Sequence, residues 1–168
     1  MPDTGGPFRP VDILRILAEQ GVEFVLIGGL AATIHGSPHA TVDVDVVPRR
    51  DPDNLERLSR ALHELGARVY GSAEEPLAFN HDGRSLGEAE VWNLATIHGG
   101  LDITFVPAGT SGYADFSARA QVHELGAVSV VVAALEDVIR SKAAAGRPKD
   151  EMVLPTLREL LASKRGPR

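Results

Sequence analysis

Two neighbouring segments constrain this chain more than anything else in it: Val25-Leu26-Ile27-Gly28-Gly29-Leu30-Ala31 and Thr41-Val42-Asp43-Val44-Asp45-Val46-Val47. The first reads as an apolar strand running into a double glycine and a short helix. The second reads as a strand carrying two aspartates. Side chains alternate along a strand, so Asp43 and Asp45 share one face and Val42, Val44 and Val46 the other. Two carboxylates on one face of a buried strand repel each other and are costly to desolvate, unless a divalent cation sits between them. A glycine-rich turn ahead of a helix presents backbone N–H groups suited to phosphate. Side by side, the two features point to the chemistry of metal-bound phosphates.

A length of 168 residues gives one domain with a genuine core. We divide it into a flexible leader at 1–10, a core at 11–133 and C-terminal helices at 134–168 packed on that core. The leader is set off by Pro2, Gly5, Gly6, Pro7 and Pro10, and lacks the basic start and apolar run of a signal peptide. The longest apolar stretch, Val128 to Leu135, is too short to span a bilayer. No membrane partner is therefore expected, and a cytoplasmic location follows by default. Cysteine is absent, which excludes disulfides and Cys-ligated zinc. The net charge of -6 argues against a general nucleic-acid binder. Its distribution is uneven: residues 140–168 hold eight Lys/Arg against three Asp/Glu, which leaves -11 for the remainder. A basic segment facing an acidic body suits a polyanionic substrate, although Lys164, Arg165 and Arg168 read better as a solvated tail.

Apolar spacing predicts a helix from Asp12 to Gln20, a buried strand from Val22 to Ile27, and a short helix from Gly29 to His35. The aspartate strand runs from Thr41 to Val47. A helix begins at Pro52 and Asp53, with Leu55, Leu58, Leu62 and Leu65 as its stripe, and a short strand spans Ala67 to Tyr70. Residues 71–90 read as loop, with a short strand near Leu77 to Phe79. Val91 to Ile97 and Leu101 to Val106 flank His98-Gly99-Gly100 as a β-hairpin. A helical turn or two at Gly112 to Ala120, a strand at Val128 to Val132, and helices at Leu135 to Ala145 and Asp150 to Ala162 complete the pattern. The fold class is α/β (α+β), with a mixed rather than all-parallel sheet.

On the hairpin's second strand, Leu101, Ile103 and Phe105 point one way and Asp102 and Thr104 the other. If that strand neighbours the aspartate strand, Asp43, Asp45 and Asp102 converge. Three carboxylates can hold two Mg²⁺ ions roughly 3.5–4 Å apart, clamping the attacking and leaving oxygens of an in-line phosphoryl displacement. Asp102 is also placed to accept the nucleophile's proton.

Gly28-Gly29, Thr41-x-Asp43-x-Asp45 and Asp102 together resemble the nucleotidyltransferase superfamily with a polymerase-β-like fold. The resemblance runs from about Val22 to Val106. A second block, Leu135-Glu136-Asp137 followed by Lys142, Arg147 and Lys149-Asp150, is similar to the late Lys…Arg-x-x-Asp motif of minimal and abortive-infection-type nucleotidyltransferases, families that include toxin–antitoxin components. The resemblance implies a Mg²⁺-dependent transfer of a nucleoside monophosphate from an NTP to a hydroxyl. Asp43 and Asp45 would bind metal, Asp102 would complete the metal site, and Gly28, Gly29 and Thr41 would meet the nucleotide. Lys142 would act in catalysis on nucleotide phosphate, and Lys142, Arg147 and Asp150 would bind the nucleotide. The implied acceptors are an RNA or tRNA end or a partner protein, with a cognate antitoxin or toxin as a further partner. A nucleotide-binding regulatory or antitoxin subunit without turnover is the alternative. The chain departs from the pattern at His39, where many relatives carry arginine, so that contact becomes an imidazole's and pH-dependent. It departs again at Val153-Leu154, where an acidic-leucine pair is usual.

The remaining chemistry-bearing residues read as structural. The six histidines are too scattered for a zinc site, with His35 ending a helix and His98 in a turn. Trp92 reads as core, Glu88 and Glu90 as a solvated face, and Lys149 as solvated. Ser37 and Thr110 have no evident base partner.

Overall fold

The protein is described here by a computed structural model covering residues 7–70 and 75–166. The expected leader lies mostly outside them, as do residues 71–74 of the loop at 71–90 and Arg168 of the basic tail.

The chain opens with α1 (Pro10–Glu19), which leads into β1 (Phe24–Ile27), α2 (Gly28–Ile34) and β2 (Asp43–Pro48). After α3 (Pro52–Glu64) come β3 (Arg68–Val69), α4 (Gly83–Leu86), and the hairpin of β4 (Val91–Thr96) and β5 (Gly99–Thr104). The last part is α5 (Tyr113–Ser117), a second hairpin of β6 (Gln121–Leu125) and β7 (Val128–Val132), then α6 (Leu135–Ala145) and α7 (Pro148–Lys164). Proline stands at the start of α1, α3 and α7, where its missing N–H has no helical partner to lose.

All seven strands form one mixed sheet in the order β3-β4-β5-β2-β1-β7-β6. β2 is its pivot, antiparallel to β1 and parallel to β5. The parallel pairing is what brings the aspartate strand beside Asp102. One face of the sheet presents Leu26, Val44, Val46, Leu101, Ile103 and Val130, all buried, and α1 seals it with Ile13, Leu14 and Leu17. The opposite face carries the aspartates and is flanked by α2 and α6.

Asn54 ties three elements together from a fully buried position. Its Oδ1 accepts from the Glu23 N–H at 2.7 Å, and its Nδ2 donates to the carbonyls of Glu23 (2.9 Å) and Arg49 (2.7 Å). The start of β1, the end of β2 and the first turn of α3 are thereby fixed to one another. The N-cap Asp51, which accepts from the Asn54 N–H at 3.1 Å, sets the helix entry.

Several expectations need correction. β2 begins at Asp43, not Thr41, and Val42 is exposed, because the chain pairs with β1 and β5 only from Asp43 onward. Gly99 and Gly100 belong to β5, and the tight turn is Ile97-His98. The segment expected as loop includes α4, held by a capping box between Asp82 and Ser85. The strand expected near Leu77 is a single bridge to Val69. β6 was not foreseen: it is an edge strand, with no residue fully buried to give an apolar signal. Among the described residues, no helix is long and apolar enough to cross a membrane.

Candidate active site

Strand register sets the site. Asp45 lies opposite Asp102 across the β2–β5 pair, and Asp43 lies opposite Gly100. Because the pleat alternates, all three carboxylates project from the face not sealed by α1. Two glycines make room for them. Gly28 turns the chain from β1 into α2 at φ +70°, and a Cβ there would overlap the Asp45 carboxylate. A Cβ on Gly100 would overlap Asp43 Oδ1 in the same way. One glycine of each pair, Gly28 and Gly100, is thus the steric counterpart of an aspartate.

Burial and mutual repulsion act on these carboxyls together. Burial first, then the charges of Asp102 and Asp43, push Asp45 up to about 7, with Lys142 and Lys149 opposing. Asp102 is pushed up to about 6 by burial and then by Asp43, while Lys149, a hydrogen bond with Asp45, and Arg147 pull the other way. Asp43 is raised by burial and lowered by Lys149. Among the described residues none of the three is held in an ion pair, whereas nearby Asp150 takes two. Nor do three His, Cys, Asp or Glu side chains form a ready-made metal cage among the described residues. The donor set nevertheless suits Mg²⁺, which takes one or two carboxylates and completes its shell with substrate phosphates and water. Unpartnered carboxylates whose ionised forms are disfavoured are the groups a bound cation would stabilise.

A cavity of about 600 Å³ opens over this face, ample for a nucleotide-sized ligand. Gly28, Gly29 and Thr41 line one wall, and the three aspartates form its floor. Thr41 Oγ1 donates to the backbone carbonyl of Asp43 at 3.1 Å, fixing the approach to β2. Lys142, Arg147 and Lys149 line the wall supplied by α6, α7 and their junction. His39 lines the cavity too, its Nε2 3.4 Å from Thr156 Oγ1 on α7.

Asp150 departs from expectation. It is fully buried and is not part of the cavity wall. Its Oδ2 accepts from Arg147 Nε at 2.6 Å, and Lys142 Nζ lies 3.5 Å from its Oδ1. Burial works against its ionised form, but Arg147 and then Lys142 outweigh that and hold its carboxyl below the usual range. Asp150 therefore anchors two cations of the cavity wall from a position behind it. Asp137 plays a parallel part in α6, fully buried between Arg119 and Arg140. Lys149 departs in the other direction: it is exposed as expected, yet it lines the cavity and its charge acts on all three aspartates. A lysine one residue before the late aspartate was the signal that could have found it. Trp92 is half-buried, donating its indole N–H to the Leu86 carbonyl at 2.9 Å.

Residues 12–156 match the sequence family described as Nucleotidyltransferase of unknown function (DUF6036). No curated protein matches the chain. Among solved structures, a candidate nucleotidyltransferase from Thermotoga maritima superimposes with a TM-score of 0.56 at 17% identity, over 96% of this chain and 99% of that one. The lincosamide antibiotic adenylyltransferase LnuA, bound to lincomycin, gives 0.60 at 13% identity, over 89% of this chain and 94% of its own. At such identities the likeness is one of fold, and both share the nucleotidyltransferase fold.

Proposed function

The chain belongs to this family of nucleotidyltransferases, and from that premise we propose that it transfers a nucleoside monophosphate from a Mg²⁺-bound NTP to a hydroxyl acceptor. One observation carries the reading: the β2–β5 register sets Asp45 opposite Asp102 on the floor of a cavity whose other wall holds Lys142, Arg147 and Lys149. Acid groups beneath, cations to one side and a glycine turn between them suit a triphosphate that must be held and cleaved. Asp43, Asp45 and Asp102 would hold Mg²⁺, which when bound neutralises charge on the phosphates and the departing pyrophosphate.

The chain's own groups do the rest. Gly28 and Gly29 allow the phosphates to approach the backbone closely. Lys142, kept in place by Asp150, faces the phosphates, and Arg147 and Lys149 add charge where pyrophosphate departs. The acceptor oxygen bonds to the α-phosphorus as the bond to the bridging oxygen of the β-phosphate breaks. Asp102 takes the hydroxyl proton. The products are the nucleotidylated acceptor and pyrophosphate.

Within this reading the acceptor is an RNA or tRNA end or a partner protein. The Lys142…Arg147-x-x-Asp150 block supports a toxin–antitoxin setting through its resemblance to families that include such components. The test is incubation of the protein with Mg²⁺, each α-labelled NTP and a matched cell lysate, with Asp43→Ala/Asp45→Ala as control. Label in RNA or in a protein band that the control lacks is the expected result. Nucleotide binding without label or pyrophosphate release in any fraction would instead favour a regulatory subunit without turnover.

A further inference from the structure

The cavity holds a ring to which the transfer step gives no part. Among the described residues that line it, His39 is the only one with an aromatic side chain. Its backbone sits beside the glycine turn: Thr33 Oγ1 lies 3.0 Å from the Gly29 carbonyl and 3.4 Å from that of His39. The imidazole is exposed, with Nε2 3.4 Å from Thr156 Oγ1 on α7. A contact at a ring nitrogen lies in the ring plane and occupies neither face. Elsewhere the rings of this protein pack on one another, His63 on His81 and Phe79 on Trp92. No aromatic ring stacks on His39 among the described residues.

The surroundings of His39 suit both the plane and the edge of a heterocycle. Val42 is 60% exposed on the cavity wall, and Val153 lines it one turn before Thr156. Ser37, 7% exposed, adds a polar group to the same wall. Its Oγ accepts from the His39 N–H at 3.3 Å, and its own O–H is given to no acceptor among the described residues. Arg147, the other planar cation or ring system in the cavity, is held by Asp150 through two hydrogen bonds. A base needs a flat face to stack on and a few polar partners at its edge. The loop carrying Ser37 and His39 offers both within one side chain of the phosphate turn.

We propose that His39 and Ser37 form the nucleobase subsite of the NTP: the base stacks on the His39 imidazole and presents an edge acceptor to the Ser37 O–H. This rests on the transferase reading above. With the triphosphate on the Gly28-Gly29 turn and Lys142, the nucleoside extends toward the loop between α2 and β2. Every base has a π-face, so His39 supplies affinity for all four nucleotides, and the Ser37 contact sets the preference among them.

The test measures binding to the full chain, by calorimetry with Mg²⁺ present, of each NTP in turn and of inorganic tripolyphosphate, which keeps the phosphates and lacks the base. His39→Ala should raise the Kd for the NTPs by about tenfold, the scale of one lost stacking contact. The Kd for tripolyphosphate and the Tm should stay at wild-type values. His39→Phe, which keeps a ring and removes its nitrogens, should restore most of the NTP affinity. Ser37→Ala should narrow the spread of Kd among the four NTPs. Equal losses for NTP and tripolyphosphate in His39→Ala would make His39 a phosphate contact and overturn the subsite. Unchanged NTP affinity in His39→Ala would overturn it too, as would a failure of His39→Phe to restore binding. If the wild-type protein binds neither ligand, the transferase reading itself falls and the subsite with it. The expected binding pattern without transfer of label would overturn the transferase reading alone and leave the subsite standing.

Discussion

Asp45 and Asp102 stand opposite one another on parallel strands, with their side chains on the same face of the sheet. Two carboxylates so placed oppose each other's ionisation unless a cation sits between them, and the charge of Asp102 raises Asp45. Burial sharpens the demand, raising Asp45 to about 7 and Asp102 to about 6. The fold thus carries an electrostatic cost at neutral pH that a bound divalent ion would offset.

The pair should make metal-free stability depend on pH in a defined direction. A carboxyl whose folded pKa exceeds its unfolded value of ~3.9 binds more protons in the folded state, so its contribution falls as pH rises between the two values. The difference in unfolding free energy between Asp45→Asn and wild type should be near zero at about pH 4. It should grow in favour of the variant to on the order of 1–3 kcal/mol above about pH 7. Urea unfolding in EDTA across that range measures it, and a flat difference would contradict the burial argument. The same variant should lose transfer activity by at least ~10²-fold.

Added Mg²⁺ should raise the Tm of the wild-type protein at pH 8, because a ligand that binds only the folded state stabilises it by mass action. Asp43→Asn/Asp45→Asn should show no such rise. Equal shifts in both proteins would place the ion elsewhere.

Gly28→Ala tests the steric partnership with Asp45. A Cβ at φ +70° costs about 1–2 kcal/mol from backbone conformation alone, and it also displaces the Asp45 carboxyl. We expect a stability loss of about 2–3 kcal/mol together with a fall in transfer of at least about tenfold. Chemical denaturation and a transfer assay report the two effects separately.

Asp150→Asn should act on the nucleotide at one remove. Removing the buried countercharge frees Arg147 and Lys142 and costs about 3 kcal/mol of stability. The KM for the NTP should rise about tenfold while the pH profile set by the three aspartates is retained. An unchanged KM would show that the anchoring of Lys142 and Arg147 does not matter to binding.

Asn54→Ala serves as the structural counterpart. It removes three hydrogen bonds to the backbone and one from Arg57 at a fully buried amide and should lower stability by about 2–4 kcal/mol. The folded fraction should keep wild-type KM for the NTP.

The parts of the site legible in the sequence are those set by local geometry. The alternation in Asp43-x-Asp45 and in Leu101-Asp102-Ile103 fixed which side chains share a face, and Gly28-Gly29 marked the turn into α2. The parts that escaped have weak or ambiguous local signals. β6 is exposed on most of its length, so no apolar rhythm betrays it. α4 is four residues long and shows only in the Asp82-x-x-Ser85 cap. Asp150 in a basic helix reads equally well as a ligand and as an anchor, and burial alone separates the two.

The sequence by itself determined a mixed α/β chain, three aspartates each on the polar side of its own strand, and a basic C-terminal segment, because pleat and helix periodicity are properties of neighbouring residues. Only the tertiary structure decided that β5 lies parallel to β2 in a register matching Asp102 to Asp45, and that Lys149 lines the cavity. Those outcomes depend on which strands bury their apolar faces together beneath α1, a choice made by contacts between residues far apart in the chain.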